Sequence, residues 1–184
     1  MSSFVKRAFI SFKVPGYRLM WLADIGLNWA EFMEIIILSW FVLERTDSPL
    51  ILGLFGALRF TGTLVAPLFG VLVDRFGRRT IFLVSRASFL ILSSNILILA
   101  LSGTLTVAFV LVFASLVGIC RSMDMIVRQS VLPEVVGESK LHNGVALSRT
   151  GRDATQIVGP ICGGVLLEQI GTAYSYVVIV ILYA

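Results

Sequence analysis

Gly70-Val71-Leu72-Val73-Asp74-Arg75-Phe76-Gly77-Arg78-Arg79-Thr80 separates two long apolar runs, and its reading decides the fold. Gly70 lets a neighbouring helix approach closely, and Gly77 permits a tight reversal of the backbone. Asp74 closes the first run, where a carboxylate suits a positive helix N-terminus, and Arg78 stands four residues on, within pairing reach. A connection needing only positive charge would be served by Arg75, Arg78 and Arg79. It would need neither the glycines nor the aspartate. The stretch reads as a shaped turn at a membrane surface.

The rest of the chain agrees. Of its 184 residues 57% are apolar and 14% charged, with mean hydropathy +0.93. A soluble domain keeps roughly a quarter of its residues charged. The apolar runs are long enough to cross a hydrocarbon core of about 30 Å as helices, which takes about 20 residues each. They predict an all-α integral membrane protein with spans at 19–43, 50–73, 79–101, 105–126, 144–167 and 173–184. The last is too short to cross, so the chain is expected to be an incomplete molecule. Residues 1–18, with Phe4, Phe9 and Phe12 among basic side chains, read as an interfacial segment ahead of a bundle over 19–184.

The net charge of +4 is distributed with a sidedness. Lys6, Arg7, Lys13 and Arg18 precede the first span; Arg75, Arg78 and Arg79 fall in the second connection, and Arg128 and Lys140 in the fourth. The intervening connections carry Arg45 and little else that is basic. This positive-inside alternation places the N-terminus in the cytoplasm and leaves no basic patch for nucleic acid. Cys120 and Cys162 lie inside spans as small apolar residues, and His142, the one histidine, lies at a membrane edge. No metal site or cofactor is expected from them. The first span is long and carries acids, unlike the short apolar core of a cleavable signal peptide.

Those acids are the candidate chemistry. Asp24, Asn28 and Glu31 fall within roughly 60° of one another on a helix, and Glu34 lies about 60° further round. A carboxylate in mid-bilayer costs roughly 2.5–3.5 kcal/mol on insertion scales, so these side chains should face a watery cavity or a cation. Two readings stand: a structural ion pair, or a proton and substrate pathway in which Glu31 or Glu34 exchanges a proton. Depth along the spans makes Arg59 the natural partner. Arg149 and Asp153, four apart, can neutralise each other, which leaves Arg152 for Asp24 or for an anionic group of a substrate. Arg86 is expected to snorkel to the cytoplasmic surface, and Trp21 and Trp40 to sit in the interfacial belts.

A shift of 93 positions aligns Arg59 with Arg152, Val65 with Val158, Pro67 with Pro160 and Gly70 with Gly163. The two spans so matched cross in opposite directions, as an inverted three-plus-three repeat requires.

The 70–80 stretch resembles motif A of the major facilitator superfamily, G-x-L-x-D-R-x-G-R-[KR]-x, with every defining position filled. Gly159-Pro160-Ile161-Cys162-Gly163-Gly164 resembles the end of that superfamily's antiporter motif C, G-P-x-x-G-G, although Thr155 and Ala146 stand where the pattern has earlier glycines. The connection from Arg128 to Ala146 is similar to that of bacterial macrolide and enterobactin exporters. The resemblance implies the N-terminal six-helix bundle of a secondary transporter in a bacterial inner membrane. It further implies proton-coupled export of small amphipathic molecules by alternating access against a second six-helix half, or against a second copy of this chain. Asp74, Arg75, Arg78, Arg79 and Asp124 would form a switch holding one conformation, and Gly159, Pro160, Gly163 and Gly164 a packing seam. The alternatives are an importer or uniporter of the same fold, and a non-transporting half or scaffold. No H-E-x-x-H motif or nucleophile–base pair supports an enzyme.

Overall fold

The computed structural model describes residues 10–184; Phe4, Lys6, Arg7 and Phe9 of the expected interfacial segment lie outside the described residues. Every regular element among the described residues is helical. A single 3-10 turn, Ile10–Lys13, leads into α1, Pro15–Thr46; then follow α2, Pro49–Leu58, α3, Thr61–Phe76, α4, Arg78–Leu101, and α5, Val107–Val136. A second 3-10 turn, Glu138–Lys140, precedes α6, Leu141–Tyr183. Among the described residues five stretches are long and apolar enough to cross a membrane, with α2 and α3 together making one of them.

Local chemistry sets the ends. Pro15 and Pro49 occupy the first turns of α1 and α2, where a missing N–H breaks no helical bond. The hydroxyls of Ser48 and Thr106 accept from the N–H groups of Ile51 and Phe109 at 3.5 and 3.4 Å. Gly77, at φ 81°, ends α3 and starts α4 with a left-handed backbone that a side chain would resist.

The helices depart from the simple span pattern in two places. The expected span 50–73 is broken at Arg59–Phe60 into α2 and α3. A Cβ added to Gly118 of α5 would lie 2.5 Å from the Arg59 carbonyl oxygen, and one added to Gly62 would run into the carbonyl of Gly118. Backbone therefore rests directly on backbone where α5 crosses the break. The Thr61 hydroxyl adds donations to the Leu58 and Ser115 carbonyls at 2.8 and 3.1 Å.

The second departure is α6, whose 43 residues would extend about 64 Å as a straight helix. Gly171, at φ 75° and ψ 175°, interrupts it. Before that point α6 runs parallel to α1, with Gly144 beside Tyr17, Gly151 beside Trp21 and Ile25, Gly159 beside Phe32 and Gly163 beside Met33. After it the chain doubles back: Tyr176 reaches Glu34, and the Leu182 carbonyl lies beside Gly26. Helical dihedrals persist through Pro160, so the change of direction belongs to the glycine.

The four glycines facing α1 lie seven, eight and four residues apart, a spacing that holds one stripe of a helix. They let α6 press against α1, the most buried of the spans. Met33, Ile37 and Phe41 of α1 form the core with Phe89 of α4, Val110 of α5 and Tyr176 of α6. The spans Pro49–Phe76 and Glu138–Tyr183 are the least buried, and they expose large apolar side chains such as Leu64, Leu68 and Ile161. Such faces suit contact with lipid or with further helices.

Candidate functional site

Asp24, Asn28, Glu31 and Glu34 are all buried on α1, in three environments stacked along its axis. Nearest the N-terminal end, Asp24 of α1 and Asp124 of α5 share two arginines. Arg86 of α4 lies 2.5 Å from Asp24 Oδ1 and 3.2 Å from Asp124 Oδ1. Arg128 of α5 lies 3.5 Å from Asp24 Oδ2 and 3.3 Å from Asp124 Oδ2. Ser85 donates its hydroxyl to Asp124 at 3.2 Å. Two carboxylates facing two guanidiniums leave this cluster formally neutral, and it ties three helices together. Asn28 donates its side-chain amide to the Asp24 carbonyl at 2.6 Å, which satisfies it within its own helix.

Near the midpoint of α1, Glu31 is held by two arginines through one oxygen. Arg59 donates to Glu31 Oε1 at 3.5 Å, and Arg121 of α5 pairs with the same atom. Arg59 is 8% exposed, and its Nη1 has no hydrogen-bond partner among the described residues. Glu34 lies one turn further along and points elsewhere. It is fully buried between α4 and the returning end of α6, where Ser93 and Tyr176 donate hydroxyls to its Oε1 at 3.1 and 3.2 Å. No cation pairs with it among the described residues, and its Oε2 has no partner there.

Several expectations are corrected by this geometry. Arg86 does not snorkel to the surface: it turns inward, because two buried aspartates on neighbouring helices attract it more strongly than the interface does. Asp24 takes Arg86 and Arg128 as partners, not Arg152. Arg149 and Asp153 are both exposed and form no ion pair among the described residues. The turn at 70–80 does not join Asp74, Arg78 and Asp124. Asp74 and Arg75 are exposed, Arg79 likewise, and Arg78 pairs instead with Glu134 near the end of α5, while Asp124 lies inside the bundle. Among the described residues, Gly70 and Gly164 meet nothing within 4 Å of an added Cβ, so neither is a close-packing position there. Trp21 donates its indole N–H to the Leu147 carbonyl at 3.2 Å; Trp40 is exposed.

Hydropathy and motif alone give Arg121 no role and place Arg128 in a surface connection. Both follow from the length of α5, which continues to Val136 and carries the two arginines and Asp124 along one helix. Their spacing, with Arg128 seven residues after Arg121 and four after Asp124, was the signal that could have found them.

Beside Glu31 opens a cleft of about 530 Å³, lined by Arg59, Arg121 and Arg152 together with Phe55, Phe60 and Met125. Arg59 and Arg152, matched by the 93-residue shift, thus face one space. Ser39 and Leu52 also line a second cleft of about 770 Å³, which carries Glu44 and Glu168. Met125 and Arg152 also line a third of about 570 Å³, with Arg128, Arg149 and Asp153. Neighbouring clefts thus share lining residues along the bundle. Charged side chains of this kind within membrane spans face one another or an aqueous space.

A family model described as transmembrane secretion effector matches residues 6–184. Among curated proteins the chain is similar to the staphyloferrin A transporter of Staphylococcus aureus (strain NCTC 8325 / PS 47), 22% identical over 149 residues. That match takes in 80% of this chain and 35% of the relative, so the chain spans about a third of the length of the curated protein it resembles. No solved structure matches it.

Proposed function

We propose, from the premise that this chain belongs to the transmembrane secretion effector family of major facilitator transporters, that it is the N-terminal six-helix bundle of a proton-coupled exporter of small amphipathic molecules. The family description as a secretion effector supports outward movement, and the curated relative is itself named a transporter. Gly171 would separate the fifth and sixth helices, and the broken span Pro49–Phe76 would count as the second. The basic residues Arg75, Arg78, Arg79 and Lys140 lie at the end of the bundle where α1 begins, which supports a cytoplasmic N-terminus in a bacterial inner membrane. Alternating access would come from rocking against a second six-helix half, whose seat would include the cleft beside Glu31.

The observation that carries the proton coupling is the contrast between Glu31 and Glu34. Glu31 faces two guanidiniums. Glu34 is equally buried with two hydroxyl donors and no cation. A buried carboxylate without a cation is costly, and taking up a proton removes the cost. Glu34 would then be the site whose occupancy by a proton biases one conformation of the bundle, as an effective ligand must. Arg59 lies close enough to respond to both acids, so loading Glu34 would alter how firmly Arg59 holds Glu31.

The test is flux in proteoliposomes holding the full-length protein, with anilinonaphthalene sulfonate as the amphipathic probe and an imposed pH gradient. Wild type should move the probe against its gradient while protons move the other way. Glu34→Gln should still equilibrate the probe but fail to concentrate it. Unchanged uphill movement in that variant would remove Glu34 from the coupling, and probe movement in the same direction as protons would turn the exporter into an importer.

A further inference from the structure

Three arginines converge on the 530 Å³ cleft, and the one carboxylate that meets them, Glu31, engages two. Arg152 makes no ion pair among the described residues and is only partly buried, so its guanidinium has access to the cleft. Arg59 also lines the cleft; it is more than nine-tenths buried, and its Nη1 has no hydrogen-bond partner among the described residues. With Glu31 ionised, these groups sum to two uncompensated positive charges facing a space walled by Phe55, Phe60 and Met125. Buried cations are normally paired, and an arginine fork matches the two oxygens of a carboxylate or the oxygens of a phosphate.

The geometry points to a binding seat for an anionic head group carried by an amphipathic cargo, with the Glu31 carboxylate as the resident occupant that the cargo displaces from Arg59 and Arg121. The inference rests on the transporter reading above and sharpens it by naming the class of cargo. Arg152 provides the first contact, because no internal acid competes for it. Arg59 and Arg121 follow as the cargo's oxygens replace Glu31 Oε1. The aromatic and methionine wall takes the cargo's apolar part. Competition of this kind gives Arg59 and Arg121 an anionic partner whether or not cargo is present, so the seat never leaves three bare guanidiniums in the bilayer.

Equilibrium binding of octanoate by the full-length protein in phosphatidylcholine nanodiscs tests this, with octanamide as its uncharged counterpart. Octanoate should bind at least tenfold more tightly than octanamide. Arg152→Gln, which removes no internal ion pair, should weaken octanoate binding about tenfold, the scale of a lost charge-assisted hydrogen bond. Glu31→Gln should tighten it, because the competitor has gone. That sign separates a displaced occupant from a scaffold residue, whose loss would weaken binding. Failure of wild type to bind octanoate, equal binding of octanamide, or an Arg152→Gln variant within twofold of wild type would overturn the proposal. So would a loss of affinity in Glu31→Gln. Repeating the titration in phosphatidylglycerol nanodiscs distinguishes the source of the anion: undiminished octanoate binding assigns the seat to cargo, whereas its abolition assigns the seat to a lipid head group and overturns the cargo. Binding is read without flux, so a protein that binds octanoate but moves no anilinonaphthalene sulfonate refutes the exporter and leaves the anion seat standing.

Discussion

Replacing Arg86 by glutamine tests whether the inner cluster holds the bundle together. The guanidinium lies 2.5 Å from Asp24 and 3.2 Å from Asp124, so the substitution strips one cation from two buried acids on two other helices. Removing one partner of a buried ion pair costs about 3–5 kcal/mol, chiefly because the abandoned charge stays buried. Two considerations place Arg86→Gln near the lower end, about 3 kcal/mol. The Arg86 side chain is 17% exposed, and Arg128 remains beside both carboxylates. Neutrality then predicts a rescue: adding Asp124→Asn leaves one acid facing one arginine, and about half of the loss should return. The assay is unfolding of the purified protein in mixed micelles of rising sodium dodecyl sulfate content, followed by helical circular dichroism. An Arg86→Gln variant within about 0.5 kcal/mol of wild type would refute the reasoning, since that is how a surface side chain behaves. A double variant less stable than the single would refute the charge balance.

Other substitutions are dictated by the packing. Gly118→Val should cost well over about 2 kcal/mol, because its side chain would run into the Arg59 backbone, whereas Gly164→Ala, which meets open space, should stay level or gain up to about 1 kcal/mol in helix propensity; the same micelle titration measures both. Gly77→Ala forces an alanine to φ 81° and should lower stability by about 1–2 kcal/mol, seen as a downward shift of the thermal melt. Arg78 and Glu134 have side chains 47% and 60% exposed, so Arg78→Ala should change stability by less than about 1 kcal/mol, and a larger loss would show that the turn does more than pair at the surface.

Much of the fold is written in the order of the residues. Hydropathy alone marks helices crossing a bilayer, because backbone polar groups in hydrocarbon must be satisfied within each helix. Gly77 and Gly171 mark reversals, because few other residues accept their backbone conformation. The burial of Asp24, Glu31 and Glu34 follows from their angular spacing on one span, and matching depths allow Arg59 an acid of that span without deciding between Glu31 and Glu34.

What the sequence alone left undecided depends on helix rotation and crossing. Whether Arg86 reaches outward to water or inward to Asp24 and Asp124 is a matter of which face α4 turns to α1, and a one-dimensional pattern does not fix a rotation. The break at Arg59–Phe60 has no proline to announce it; it arises where α5 brings Gly118 against the backbone of the second span. Glu31 and Glu34 look alike in sequence and differ by less than one turn. Only the packing gives one a pair of arginines and the other a pair of hydroxyls. The sequence determined that charge would be buried in this membrane protein, because acids lie mid-span. The tertiary structure decided which cation each acid meets, because in a low-dielectric interior that choice is made by contact distances between helices far apart in the chain.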